Sequence, residues 1–91
     1  MKKQTIGAGP ALIRAWRAKN GVSMGELCRR IGYTGDPAGA ALSRYENGIR
    51  PLPLTRLMQL SIETGISLGM LVWPVQVQEY QAYMAISQED R

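Results

Sequence analysis

The sequence predicts a small all-α domain of five helices, and three observations support this fold class. The chain has 91 residues, of which 45% are apolar and 20% charged, and this fits one small soluble domain. Apolar residues recur at helical spacing in several short segments up to residue 73, and Gly, Pro or Asn-Gly separates these segments. No strand pattern of convincing length competes with them in this part of the sequence.

The first helix is predicted to begin at Pro10. Proline is favourable at the first helical position, because the backbone amide there has no hydrogen-bond partner within the helix and proline lacks that amide hydrogen. Lys19 falls in the last turn, where a positive charge is favourable, and Asn20-Gly21 forms the stop. Apolar residues at three- and four-residue spacing form one stripe along this helix, namely Leu12, Ile13 and Trp16.

The second helix is predicted from Met24 to about Ile31, with Gly32 as its stop. Ser23 is a good N-cap, and Glu26 follows it at the spacing of a capping box. The residues expected to face the core are Leu27, Cys28 and Ile31.

The third helix is predicted to begin at Asp36-Pro37 and to run to about Glu46. Asp36 is the expected cap, because its carboxylate can accept hydrogen bonds from the free amides of the first turn. Asn47-Gly48 closes the helix.

Two further helices are predicted between Pro53 and Trp73. The fourth is strongly apolar and stops at Gly65, and Ser67 is the expected cap of a short fifth helix.

Residues 75–91 form a C-terminal extension in which two periods compete. Val75 and Val77 alternate with glutamines as in a strand, whereas Tyr80, Tyr83 and Met84 follow helical spacing. Either structure would expose apolar side chains on a monomer, and a contact between two copies would cover them. We therefore expect a dimerisation element here, with candidate residues Val75, Val77, Tyr80, Tyr83 and Met84.

Residue usage argues against an enzyme. The chain has no histidine and one cysteine, which excludes imidazole bases, Ser-His and Cys-His triads, His-ligated metals and an internal disulfide. No cofactor or metal is expected. Cys28 is expected to pack in the core as a free thiol, which suits a reducing cytoplasm. No run of about 20 apolar residues and no signal-peptide core is present, so we expect a cytoplasmic protein without a membrane partner.

The positive charge is concentrated in the first part of the chain. Up to Arg56 there are ten basic and three acidic residues, which gives +7, and the remaining residues contribute one basic and four acidic groups, which gives −3. The first part should therefore attract an anionic partner such as nucleic acid.

Three segments resemble motifs of one known family and occur in the same order as they do there. The segments are Val22 to Cys28, Leu42-Ser43-Arg44-Tyr45-Glu46-Asn47-Gly48, and Thr64 to Leu68. They resemble the phage-repressor-like (Cro/C1-type, Xre) helix-turn-helix family over roughly residues 12–72. The resemblance implies a five-helix lambda-repressor-like DNA-binding domain at residues 10–74, with a flexible N-terminal arm at residues 1–9 and the extension at 75–91.

The resemblance also implies how double-stranded DNA would be bound. The third helix would enter the major groove, with Arg44 as the main base-reading residue near Thr34, Gly39 and Ala40. The residues at backbone-contacting positions are Ser23, Met24, Asn47 and Arg50. Arg17 and Glu46 match a buried ion pair that joins the first helix to the end of the third. A homodimer would read an imperfect palindromic operator.

Two departures from the family pattern leave a second interpretation open. The segment from Thr34 to Ala41, between the end of the second helix and the aliphatic residue of the third, is four residues longer than is usual in the family, and the side chains of Gly39 and Ala40 carry no hydrogen-bond donors. Met24 stands where the family usually has glutamine and cannot donate to a phosphate. In the favoured interpretation the chain is a repressor or autoregulator of a phage, mobile element or toxin-antitoxin operon. In the alternative it is a protein-binding module, antiactivator or antitoxin-like, that inhibits a partner protein.

Overall fold

The computed structural model describes the backbone of residues 6–89 and the side chains of residues 6–35 and 39–86. Within residues 6–89 the chain is all-helical, so the predicted fold class is confirmed. The helices are α1 (Gly9–Asn20), α2 (Met24–Arg30), α3 (Asp36–Glu46), α4 (Leu54–Thr64), α5 (Leu68–Leu71) and α6 (Val77–Glu89), with a 3-10 turn at Pro74–Gln76 before α6. None of these helices combines the length and the apolar character that crossing a bilayer requires.

The helix ends lie close to the predicted punctuation. Glycines in the left-handed region follow α1 at Gly21 (φ 63°) and α4 at Gly65 (φ 76°), where residues with a side chain would be strained. At the start of α2, Ser23 Oγ accepts a hydrogen bond from the Glu26 amide over 3.1 Å.

One predicted cap is wrong, and a second is confirmed in its position but makes no capping hydrogen bond. The cap position of α3 is Gly35, with φ 105°, and Asp36 is already the first helical residue, because the long turn before α3 ends in a conformation that only glycine tolerates. Ser67 precedes α5 in the expected place, but its side chain makes no capping hydrogen bond. A helix of four residues is held by its packing rather than by its cap.

The core forms where α1, α2 and α4 enclose α3 and the residues after α5. Trp73 and Tyr45 are fully buried there with their rings stacked, the centroids lying 6.2 Å apart. The Tyr45 hydroxyl donates to the Leu71 carbonyl over 2.6 Å, and burial raises the pKa of this phenol well above its ordinary value. The other buried apolar side chains are Ile13, Val22, Leu27, Cys28, Ile31, Leu42, Leu52, Leu57, Leu60, Leu71 and Val72.

The start of α1 lies very close to this core. Gly9 is buried, and a Cβ atom there would lie 2.8 Å from the Leu71 Cα, so this close approach requires glycine. Just before α1, Ile6 lies beside Gly48, where a Cβ would come within 3.0 Å of the Ile6 Cδ1. The amino end of the described chain thus packs against the segment that follows α3.

The described part of the C-terminal extension, residues 75–89, is helical, so the strand pattern is not realised. Val75 and Gln76 lie in the 3-10 turn, and α6 begins at Val77. The alternation that suggested a strand therefore spans a junction between two helical segments.

Candidate nucleic-acid interface

The segment after α3 folds back on the helix end and places Arg50 beside Arg44. Gly48 adopts φ 70° and reverses the chain. The Arg44 carbonyl then accepts hydrogen bonds from the Ile49 amide over 2.8 Å and from the Arg50 amide over 3.4 Å. Both arginine side chains are exposed and neither forms an ion pair with a side chain that the structure describes. Their charge is thus available to an anionic partner.

The two arginines border one open cleft of about 400 Å³. Apolar groups from α3 and from the segment before α4 form much of its wall, and the C-terminal extension contributes one polar side chain. The lining consists of Tyr33, Ala41, Arg44, Arg50, Pro51, Leu52, Pro53 and Gln76. The described lining contains no acidic residue, so the cleft is positively charged.

The long turn between α2 and α3 is fixed at its centre by α4. The Tyr33 amide donates to the Cys28 carbonyl over 2.9 Å, and glycines with positive φ stand on both sides at Gly32 and Gly35. The Arg56 guanidinium lies over the Tyr33 ring at 4.3 Å from its centroid, a cation–π contact. Sequence reasoning missed this role of Arg56, because only the fold brings it over the turn.

The predicted pair Arg17 and Glu46 lie in direct contact. Arg17 Nε donates to Glu46 Oε2 over 2.6 Å and Arg17 Nη2 donates to Oε1 over 2.7 Å, which makes the contact bidentate. The Glu46 side chain is 1% exposed and that of Arg17 20%. The hydrogen bonds that Arg17 donates to Glu46 raise the pKa of Arg17 above its ordinary value. This pair ties α1 to the last residue of α3.

Arg14 adds a second contact to the same helix end, and sequence reasoning missed it. Its Nη2 donates to Asn47 Oδ1 over 2.8 Å, and its Nε lies 3.7 Å from Glu46 Oε1. Asn47 Nδ2 in turn donates to the Ser43 carbonyl over 2.9 Å. The amide of Asn47 is therefore held in one orientation at the exposed end of α3. The signal in the sequence was the helical spacing of Arg14 and Arg17, which places both near one face of α1.

The remaining predicted DNA-contacting residues differ in exposure. Ser23, Thr34 and Ala40 are exposed, and Gly39 is half-buried on α3. Met24 packs partly against the core, so its side chain is committed to the protein. Beside them on α2, Glu26 pairs with Arg29 and with Arg30, which neutralises part of the charge of this helix.

The apolar residues of the C-terminal extension divide into two groups. Tyr80 is half-buried and packs against the core near Gly69. The others stay exposed: Val75 by 66%, Val77 by 36%, Tyr83 by 38% and Met84 by 37%. Tyr83 also borders a hollow of about 190 Å³ between α4, α5 and α6, where Ile62 is 85% exposed. The exposed apolar surface therefore extends from α6 onto α4.

A short helix, a turn and a second helix, with exposed arginines in its last turn and in the segment that follows, define a helix-turn-helix domain. A family model described as helix-turn-helix matches residues 13–71, and the chain belongs to this family, whose members are of the Cro/C1 type. The protein is thus a DNA-binding helix-turn-helix regulator, in a family that is regulatory and not enzymatic. No curated protein and no solved structure gives a significant match to the chain.

Proposed function

We propose that this protein is a dimeric repressor or autoregulator of a phage, mobile element or toxin-antitoxin operon, acting in the cytoplasm on a palindromic operator. The observation that carries the proposal is the pair of exposed arginines in the last turn of α3 and just after it, neither of which forms an ion pair with a described side chain. Arg44 would read a guanine through its planar donor fork, and Arg50 would hold a phosphate. This division separates sequence readout from placement on the duplex.

The structure supports a phosphate contact in the same region. Asn47 is exposed, and its amide is oriented by Arg14 and by the carbonyl and hydroxyl of Ser43. We propose that the Asn47 amide and the Arg14 guanidinium both face the DNA backbone. Ser23 at the start of α2 would meet a second phosphate, because helix N-termini favour anions. Met24 is buried in part and would only support this contact through packing.

Base readout by the rest of α3 would depend on shape. Ala40 is exposed and can contact a thymine methyl, while Gly39 and Thr34 border the approach to the groove. Because these residues offer few donors, specificity would rest on Arg44 and on the deformability of the operator.

Dimerisation would place two copies of α3 on one face of the duplex, with half-sites about 34 Å apart. The exposed apolar residues Val75, Val77, Tyr83 and Met84 support α6 as the contact, and Ile62 of α4 extends it. Tyr80 would support the interface from beneath, since it packs against the core of its own chain.

Fluorescence anisotropy of the full chain on duplex DNA from its own upstream region tests the proposal. We expect binding that is tighter than to a shuffled duplex and that weakens by at least tenfold between about 50 and 200 mM salt. Equal affinity for both duplexes would overturn sequence-specific regulation.

The alternative function, inhibition of a partner protein, is favoured by one observation. α3 carries the exposed Ala40 next to the half-buried Gly39, and such small residues allow close packing of another helix. The alternative function predicts that the chain has no measurable affinity for duplex DNA and shows no steep salt dependence in the same anisotropy assay.

A further inference from the structure

Residues 73–76, which we call the C-terminal hook, connect the core to α6 and contact the DNA-facing side of the domain. Gln76 is the polar residue of the hook. Its Nε2 donates to the Leu52 carbonyl over 2.6 Å, and its Oε1 accepts from the Trp73 amide over 3.0 Å. Both ends of the Gln76 amide are therefore occupied, and its orientation is fixed.

Leu52 lies two residues after Arg50, in the middle of a segment whose other backbone hydrogen bonds lie at its ends, where the Pro53 carbonyl accepts from the Arg56 and Leu57 amides. Pro51 and Pro53 have no amide hydrogen, and the Arg50 amide makes only the 3.4 Å bond to Arg44. The buried Leu52 side chain holds the segment from below. The Gln76 hydrogen bond holds its backbone from the side, in the cleft that Arg44 and Arg50 border.

The hook itself is firmly attached to α3. Trp73 is fully buried and stacks on Tyr45, the residue after Arg44. The hook also leads without a break into α6, which begins at Val77. One short segment thus contacts α3, the segment that carries Arg50, and the helix proposed to contact a second copy.

We infer that Gln76 is a positioning residue for DNA binding, which sets the backbone of residues 50–53 and couples it to the C-terminal extension. The inference rests on the proposed function, since it assigns Gln76 an effect on the Arg50 phosphate contact.

Gln76→Leu tests the inference in the full chain, because leucine has a similar volume and no donor. Gln78→Leu is the matched control, since Gln78 is exposed at the start of α6. We expect Gln76→Leu to weaken operator binding by about five- to tenfold, the size of one lost hydrogen bond. It should also reduce the salt slope by about one, because a phosphate contact is lost. Self-association measured by sedimentation should stay as in the wild type.

A double variant distinguishes positioning from a general loss of stability. In the Arg50→Ala background, Gln76→Leu should cause no further loss of operator affinity, whereas two independent effects would add. Thermal unfolding of each variant identifies any that is not folded, and Gln76→Ala then replaces Gln76→Leu.

The outcomes separate this inference from the proposed function. If the wild type binds the operator and Gln76→Leu binds it equally tightly, the role of Gln76 is overturned and the proposed function stands. Additive losses of affinity in the double variant would have the same meaning. A wild-type chain without affinity for DNA would overturn the proposed function and the inference together.

Discussion

The backbone amide of Arg50 donates to the backbone carbonyl of Arg44 across the Gly48 turn. The residue proposed to contact a phosphate is thereby placed against the residue proposed to read a base. A phosphate held by Arg50 would fix the depth at which the Arg44 side chain enters the groove. The contacts proposed for the two residues nevertheless differ, so their variants should behave differently.

Arg44→Ala should weaken binding to the operator by about 1–3 kcal/mol and change the preferred base at one position of each half-site. The reason is the loss of a bidentate contact to one base edge. Anisotropy titrations on the operator and on its single-base variants measure both effects. An unchanged base preference would show that α3 does not read the sequence through Arg44.

Arg50→Ala should weaken operator and non-operator duplexes alike and flatten the salt slope by about one, because a phosphate contact carries no sequence information. Titrations at three salt concentrations measure the slope. Arg30→Ala is a matched loss of charge, since Arg30 already pairs with Glu26 and lies 3.4 Å from Glu63. A slope that drops equally in both variants would indicate a general effect of net charge.

Arg17→Ala should lower the free energy of unfolding by about 2–4 kcal/mol, because it leaves the buried Glu46 carboxylate without its bidentate partner. Urea unfolding followed by circular dichroism measures the change. Arg14→Ala is the control: its side chain is 57% exposed, so the loss should stay below about 1 kcal/mol. Similar losses in the two variants would contradict a dominant role for the Arg17 contact.

Arg17 and Arg14 show how much of the structure can be predicted from the sequence, because the contact of Arg17 was predicted and that of Arg14 was not. Five helices followed from Gly, Pro and Asn-Gly punctuation, since local backbone preferences act wherever these residues stand. The pairing of Arg17 with Glu46 followed from a family resemblance. The contacts of Arg14 with Asn47 and of Gln76 with Leu52 join residues 33 and 24 positions apart and depend on tertiary packing.

The same limit applies to the turn before α3. The sequence showed the extra length of this turn. It did not predict that the Arg56 guanidinium lies over Tyr33, because Arg56 belongs to α4 and only the fold brings the two residues together. The strand-like alternation after Pro74 was misleading because a 3-10 turn and a helix meet there.

Tyr83→Glu should raise the concentration at which the protein dimerises by at least about tenfold, because it places a charge in an apolar contact. Sedimentation equilibrium over a range of protein concentrations measures the shift. Gln81→Glu, on an exposed position two residues away, adds the same charge and should leave self-association unchanged. A wild-type chain that remains monomeric throughout would contradict the proposed interface.

Cys28 should react slowly with iodoacetamide in the folded protein. Burial raises the pKa of its thiol, and the charge of Glu46 raises it further, so the neutral thiol predominates at pH 8. We expect alkylation about a hundredfold slower than in the urea-unfolded chain, with a rate that increases with pH as thiolate forms. Mass spectrometry of timed samples measures both rates. Equal rates in the folded and unfolded chain would indicate that α2 opens readily.

The contact of Ile6 with Gly48 has a practical consequence for studying this protein. Ile6 is 46% exposed, so a dye attached to a cysteine introduced by Ile6→Cys would lie beside the Gly48 turn that leads to Arg50. Energy transfer from that dye to an acceptor on the DNA would then give a direct optical signal of complex formation and of its orientation on the operator.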